Sequence, residues 1–353
     1  MAEPAVTLQV SGREVRVSSP SKVYFPGLGL TKLNLVHYLL AVGDGVLAAL
    51  RDRPTTMERW PEGVGPGSSL RSRNRDGFYQ KNAPTRGMPS YVQTAEVTFP
   101  SGRRATEVAP ADLATICWML NLGTLRFHPW PVRLPDTDLV DQLRLDLDPQ
   151  PGVTWQQTRQ AALVLREVLV EAGLEGFCKT SGGRGLHVFA RVEPASFIDA
   201  RHAAIAVGRE LERRLPGTVT TAWWKEERGQ RVFVDFNQMA RDRLMASAYS
   251  VRPVPQARVS APLTWDEVPD AEPDDFTVVT LPARFAQHGD PWQALEESTP
   301  QPLQTALDWY ARDLARGQGE MPYPPEYPAM PGEPPRVQPS RMSPKRWGQN
   351  RAD

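Results

Sequence analysis

Leu143-Arg144-Leu145-Asp146-Leu147-Asp148-Pro149 sets leucines and aspartates in alternation. Period two is the pattern of a half-buried β-strand, so Leu145 and Leu147 face a core while Asp146 and Asp148 share the opposite face. Side chains two residues apart then stand on Cα atoms roughly 6.5 Å from one another. Two adjacent anions repel, and a cation between them relieves the repulsion; an all-oxygen donor set suits Mg²⁺ or Mn²⁺. Taken alone, the stretch is also readable as a strand end with two solvated aspartates. The flanking sequence decides between the two.

Downstream, residues 155–172 carry the spacing of a long amphipathic helix. Residues 177–192 read as strand, glycine turn, strand, and residues 197–215 as helix. Residues 230–236, Gln-Arg-Val-Phe-Val-Asp-Phe, form a further strand ending in a carboxylate. The order strand, helix, strand, strand, helix, strand is that of a ferredoxin-like or RNA-recognition-type unit. In that topology the first and last strands share a sheet, and Asp146, Asp148 and Asp235 converge on its open face.

Upstream, residues 6–18 alternate about Ser11-Gly12 and predict a hairpin. Thr31 is a good N-cap for one helix over residues 33–50. Residues 64–69 form a loop, followed by arginines at 71, 73 and 75. Residues 91–108 form a second alternating pair, and residues 112–122 a short apolar helix. Near the other end, residues 291–297 and 303–316 predict helices. Strands mixed with helices, antiparallel hairpins beside crossovers, argue α+β or mixed α/β architecture. The expected division is a catalytic domain over 1–316 and a proline-rich, basic tail over 317–353 that is extended or disordered and builds no core.

The 353 residues carry 41 Lys and Arg against 41 Asp and Glu, so any polyanion must be held by local patches of charge. No apolar run is long enough to span a membrane, and Met1-Ala2-Glu3-Pro4 does not open a secretory signal. Cys117 and Cys178 have no metal-ligand spacing and read as buried thiols of a reducing cytoplasm.

Three aspartates on strands can hold two divalent ions, the arrangement used for in-line nucleotidyl transfer. Between the aspartate-bearing strands lies Thr180-Ser181-Gly182-Gly183-Arg184-Gly185-Leu186-His187. Its glycines permit close backbone approach to a ligand. Ser181, Arg184 and His187 add a hydroxyl, a guanidinium and a ring N–H, all suited to phosphate oxygens.

The combination of DLDP, SGGRGLH and VFVDF resembles the primase-polymerases of the archaeo-eukaryotic primase superfamily, above all the polymerase domain of bacterial DNA ligase D and its stand-alone relatives. The likeness covers residues 15–290. Other matching stretches are Lys22-Val23-Tyr24-Phe25-Pro26, Phe78-Tyr79-Gln80-Lys81-Asn82-Ala83-Pro84, Phe127-His128-Pro129-Trp130 and Tyr249-Ser250-Val251-Arg252. The resemblance implies a nucleotidyltransferase that adds nucleotides, preferably ribonucleotides, to a DNA 3′ end at short gaps or breaks. It makes Asp146, Asp148 and Asp235 the ligands of two Mn²⁺ or Mg²⁺ ions. Ser181, Arg184, His187, Arg252 and Arg59 hold the NTP or dNTP phosphates, and His128 lies near the sugar. Lys22 and Lys32 recognise a downstream 5′-phosphate, and Phe78 and Tyr79 stack on template bases. Lys81 and Arg228 complete the DNA contacts.

One departure is Glu58, where a basic residue often precedes Arg59. No ligase or phosphoesterase motif follows, so the chain reads as a stand-alone, bacterial, nucleoid-associated polymerase. A DNA ligase and an end-binding protein are its expected partners. Rival readings are a primer-independent primase, a non-catalytic DNA-end scaffold that recruits a ligase, and a metal hydrolase. The lysine pair argues against the first, the acidic triad against the second, and the glycine turn against the third.

Overall fold

The alternating segment becomes the middle of a longer strand, Leu139–Pro149, in a computed structural model that describes residues 3–65, 77–324 and 327–328. This acidic strand lies near the centre of a six-stranded sheet. The spatial order is Val219–Thr220, Val232–Val234, Leu139–Pro149, Leu186–Ser196, Phe177–Thr180, Pro262–Leu263. All neighbours are antiparallel except the first pair. The four inner strands follow the ferredoxin-like order expected from the sequence, with one short strand added at each edge.

Register explains why the pattern works. Leu145 lies opposite Val188, and Leu147 lies between Leu186 and Val234, all essentially inaccessible to solvent. Burying each such side chain contributes roughly 1.5–3 kcal/mol. The helices Trp155–Glu171 and Phe197–Arg214 pack against the sheet and against each other. Thr154 and Gln157 form a reciprocal capping box at the first helix, and Ser196 caps the second by accepting from the Asp199 amide.

A second sheet carries the N-terminal half. Thr55–Arg59 pairs with Phe78–Gln80, with Thr124–Pro129 and, at one residue, with Arg104–Val108, which pairs with Thr94–Thr98. The hairpin Val6–Val10/Arg13–Val17 turns at Ser11 and Gly12, both with positive φ. Cys117 and Cys178 are buried free thiols.

Two expectations are corrected. The helix expected over 33–50 is two helices, Lys32–Ala41 and Gly43–Leu50, bent by 83°. The bend seats Gly45 against the Tyr249 ring, where a Cβ would lie 2.5 Å from ring carbon, and Gly43 against Leu113. Apolar spacing registers the buried face of both helices but not the two glycines that allow this approach. Thr31 nevertheless caps the first helix as expected, reciprocally with Asn34.

The second correction concerns the tail. Residues 317–319 are exposed, but further along Tyr323 and Tyr327 are buried beside Ala240. Tyrosine rings and backbone carbonyls give this proline-rich stretch the means to dock without regular structure. Arg71, Arg73 and Arg75, and the tail beyond 328, lie outside the described residues. No single described helix is long and apolar enough to cross a membrane; one bent pair, Lys32–Ala41 with Gly43–Leu50, passes by length and composition only.

Candidate active site

The three aspartates meet where the acidic strand and Val232–Val234 run side by side. Asp146 is paired in register with His187, Asp148 with Phe233, and the Asp235 amide donates to the Asp146 carbonyl at 3.0 Å. Asp235 also caps the short turn Phe236–Met239. One of its oxygens accepts from the Asn237 amide (3.1 Å) and the other from Gln238 Nε2 (3.0 Å). Burial, then Asp148 and Asp235, push the Asp146 carboxyl well above the ordinary carboxylate range. Burial and Asp235 raise Asp148 as well. Both shifts express the cost of gathering anions side by side, although Asp148 itself stands open to solvent.

The glycine turn closes over this cluster by local necessity. Ser181 Oγ accepts from the amides of Gly183 and Gly185, both at 3.1 Å, which leaves its proton to donate. Gly182 has φ near +70°. A Cβ at Gly185 would lie 2.6 Å from the Leu147 carbonyl oxygen, and one at Gly183 would meet the Arg252 guanidinium at 2.9 Å. Behind the turn, the fully buried Lys179 places Nζ 2.7 Å from His187 Nδ1 and donates to Ser260 Oγ at 2.6 Å. His187 Nε2 lies 3.4 Å from Asp146 Oδ1. Burial, then Lys179, lower the His187 pKa well below its usual value. Burial also lowers the Lys179 pKa well below the usual lysine value, but its Nζ–H donating to Nδ1 leaves the proton of a neutral ring on Nε2, facing the carboxylates.

These groups line a cleft of about 540 Å³. The three aspartates stand among Arg126, Arg184, Arg252 and Arg258, with Ser181 and His187 between. Of the residues expected to hold a nucleotide, the structure brings together Ser181, Arg184, His187 and Arg252. Arg59 is not in the lining: it donates to the Leu122 carbonyl and Gln80 and sits over the Phe78 ring. His128 is buried beside the cleft, its Nε2 3.0 Å from Glu58 and its ring edge-on to Tyr79. Burial pushes its pKa down to about 4 despite the Glu58 contact.

Glu58 also accepts from Arg126 and Trp60, and these bonds outweigh the upward push of burial on its own pKa. Arg126, Lys179, Gln238 and Arg258 escaped the sequence reading. Arg126 had a signal, because it stands two residues before His128 and shares its strand face. Lys179 had none, being one polar residue in a fully buried strand.

Away from the cleft, the pairing of Val23–Phe25 with Leu30–Thr31 joins Lys22 and Lys32: the Lys32 amide donates to the Lys22 carbonyl. Lys22 Nζ is paired with Glu62 at 2.8 Å. Lys32 is turned inward onto the Ser18 and Asn121 carbonyls, and burial, then Lys22, lower its pKa. Phe78 and Tyr79 are 45% and 43% exposed, more than a core would leave open. Lys81 pairs with Asp242. Arg228 is buried over the Phe233 ring, donates to the Ala222 and Trp223 carbonyls and lends positive potential to Asp148.

The model of the family described as "LigD, primase-polymerase domain" matches residues 31–292. The multifunctional non-homologous end joining protein LigD of Mycolicibacterium smegmatis is 29% identical over 289 residues, covering 81% of this chain and 36% of the relative. The LigD repair protein of Mycobacterium tuberculosis is 30% identical over 300 residues, covering 82% and 38%. The chain thus spans little more than a third of these relatives' length. The solved polymerase domain of M. tuberculosis Ligase D, in complex with DNA, superposes with a TM-score of 0.73 at 29% identity. That match covers 81% of this chain and 99% of that one. With the family match extending over most of the chain, and the aspartates and glycine turn set on a shared fold, the chain belongs to the LigD primase-polymerase family of nucleotidyltransferases.

Proposed function

We propose that this chain adds nucleotides, preferably ribonucleotides, to a DNA 3′ end at short gaps or broken ends during DNA repair. The observation that carries the proposal is the single cleft in which three carboxylates face a glycine turn and four arginines. An acidic wall suits cations and a basic wall suits a triphosphate, so the cleft is complementary to a metal-bound nucleotide.

The residues fit divalent ions: the donors are all oxygen, and the raised Asp146 and Asp148 pKa values mark carboxylates whose burial and mutual repulsion the neighbouring cations do not offset. Among the described residues no three acidic, His or Cys side chains are grouped to enclose one ion. The two-ion reading rests instead on three oxygen-donor side chains carried by two neighbouring strands. Asp146, Asp148 and Asp235 would hold Mn²⁺ or Mg²⁺. Such ions, when bound, lower the pKa of an attacking hydroxyl and neutralise a leaving pyrophosphate.

The chain's own groups do the rest. Ser181, Arg184, His187 and Arg252 bind the phosphates, with Arg126 added from the other sheet. His128 and Arg59, behind them, orient Glu58, Tyr79 and Gln80 rather than touching phosphate. Phe78 and Tyr79 offer exposed rings to template bases, and Lys81 and Arg228 flank the DNA path. Lys22, with the buried Lys32 behind it, receives a downstream 5′-phosphate. The relatives are named for non-homologous end joining, a setting in which a DNA ligase and an end-binding protein would be this chain's partners.

The test is extension of a labelled primer across short gaps, with and without a 5′-phosphate, with NTP or dNTP and with Mn²⁺ or Mg²⁺. Asp148→Ala should abolish extension and leave the affinity for gapped DNA within about twofold. Extension retained by that variant would refute the assignment, and product in a primer-free lane would turn it toward primase.

A further inference from the structure

We propose that residues 320–323, in the chain segment beyond the family match, act as a strap that positions Asp235 through Arg201 and Asn237. The inference rests on the reading of Asp235 as a metal ligand. The family match ends at residue 292, so the strap is outside the part of the chain it covers.

The path is short and continuous. Arg201, on the helix Phe197–Arg214, is fully buried. Its Nη1 donates to Glu320 (2.7 Å), and its Nη2 to the carbonyls of Met321 (2.7 Å) and Pro322 (3.1 Å). The Tyr323 ring lies flat on the guanidinium, 3.7 Å from carbon to centroid. The remaining donor, Nε, reaches Asn237 Oδ1 at 2.9 Å, and Asn237 Nδ2 donates to the Pro322 carbonyl at 3.0 Å. Asn237 is therefore gripped from both sides, and its amide holds one oxygen of Asp235. Gln238, the next residue of the same turn, holds the other.

Glu320 anchors the far end. It accepts from Arg201, His202 and Tyr310; burial alone would raise its pKa, but these partners bring it down to about 2. Removing the strap would leave the buried Arg201 charge with Asn237 as its sole hydrogen-bond partner among the described residues. A buried guanidinium stripped of acceptors draws in water or shifts. The turn Phe236–Met239 would then lose the constraint that aims the Asp235 carboxylate at Asp146 and Asp148. Groups that orient a metal ligand commonly change metal affinity by 10–100-fold when removed.

Two variants test this: Asn237→Ala in the full chain, which keeps the backbone donor to Asp235, and a shortened chain ending at Gly319. Mn²⁺ binding is measured by electron paramagnetic resonance without DNA or nucleotide, beside amide exchange over residues 235–239, thermal unfolding and gapped-DNA affinity. Both variants should bind Mn²⁺ about tenfold or more weakly, with faster exchange in the turn and unchanged DNA affinity. Excess Mn²⁺ should restore most of the extension rate at a temperature where the unfolding curve shows the variant fully folded without the ion, so that recovery of folded protein cannot account for it. If the shortened chain fails to fold, Asn237→Ala decides alone. Wild-type Mn²⁺ affinity in Asn237→Ala overturns the strap; absence of Mn²⁺ binding in the wild type overturns the carboxylate reading beneath it.

Discussion

Gly183 and Gly185 sit two residues apart in one turn, yet the structure assigns them different work. The space at Gly183 is filled by the tip of the Arg252 side chain, which can swing away, whereas the space at Gly185 is filled by the Leu147 carbonyl of a paired strand, which cannot. Gly185→Ala should therefore pry the turn off the acidic strand, lower nucleotide affinity by at least tenfold and cost about 2 kcal/mol or more of stability. Gly183→Ala should weaken nucleotide binding only a few-fold. Calorimetric nucleotide affinities and melting temperatures compare them; equal effects would mean that the turn is not seated as described. The sequence shows that glycines are wanted here, because three within the four residues after Ser181 have few other uses. It does not show which neighbour each one clears. The same blindness applies to Arg126 and Lys179, whose importance comes from strands that meet only in the fold.

At the scale of elements, the pairing of Val23–Phe25 with Leu30–Thr31 sets Lys22 and Lys32 side by side, although ten residues separate them. Lys32 is spent largely on backbone carbonyls, so on the proposed reading Lys22 is the group that would meet a phosphate, and Glu62 would compete for it. An exposed ion pair of this kind is worth at most about 1 kcal/mol. Glu62→Gln should therefore strengthen binding of 5′-phosphorylated gapped DNA up to about fivefold and leave unphosphorylated DNA unaffected, as read by fluorescence anisotropy at fixed salt. An equal gain on both substrates would mean that the pair meets DNA without reading its end.

The acidic strand, its hairpin partners and the two covering helices were legible because period-two and 3.6-residue patterns are local. The strand Thr55–Arg59 was not: its first four residues are all buried, so no alternation marks it. The break at Val42 was hidden for the converse reason, a continuous apolar pattern across two helices.

Across the whole molecule, the candidate site is built between two sheets. The ferredoxin-like sheet supplies the carboxylates and the glycine turn, while the N-terminal sheet supplies Arg126 and, behind it, Glu58, His128 and Tyr79. The chain order of motifs revealed the first contribution fully. The second depended on how the strand Thr124–Pro129 docks, which no local pattern encodes.

The crowding of Asp146, Asp148 and Asp235 bears on the economy of the entire fold. A carboxyl whose folded pKa is raised supports stability fully below its ordinary value, about 4, and that support is lost as pH rises through the raised value. Without divalent ions, Asp146→Asn should therefore melt at a higher temperature than the wild type at pH 8, with the gap narrowing toward pH 4. Added Mn²⁺ should raise the wild-type midpoint more than that of the variant. A variant no more stable than the wild type at pH 8 would contradict this account. On the proposed reading, the aspartate cluster would be a liability to the fold that a bound divalent ion relieves. Divalent-ion supply would then govern how much protein survives proteolysis in the cell, as well as how fast each molecule works.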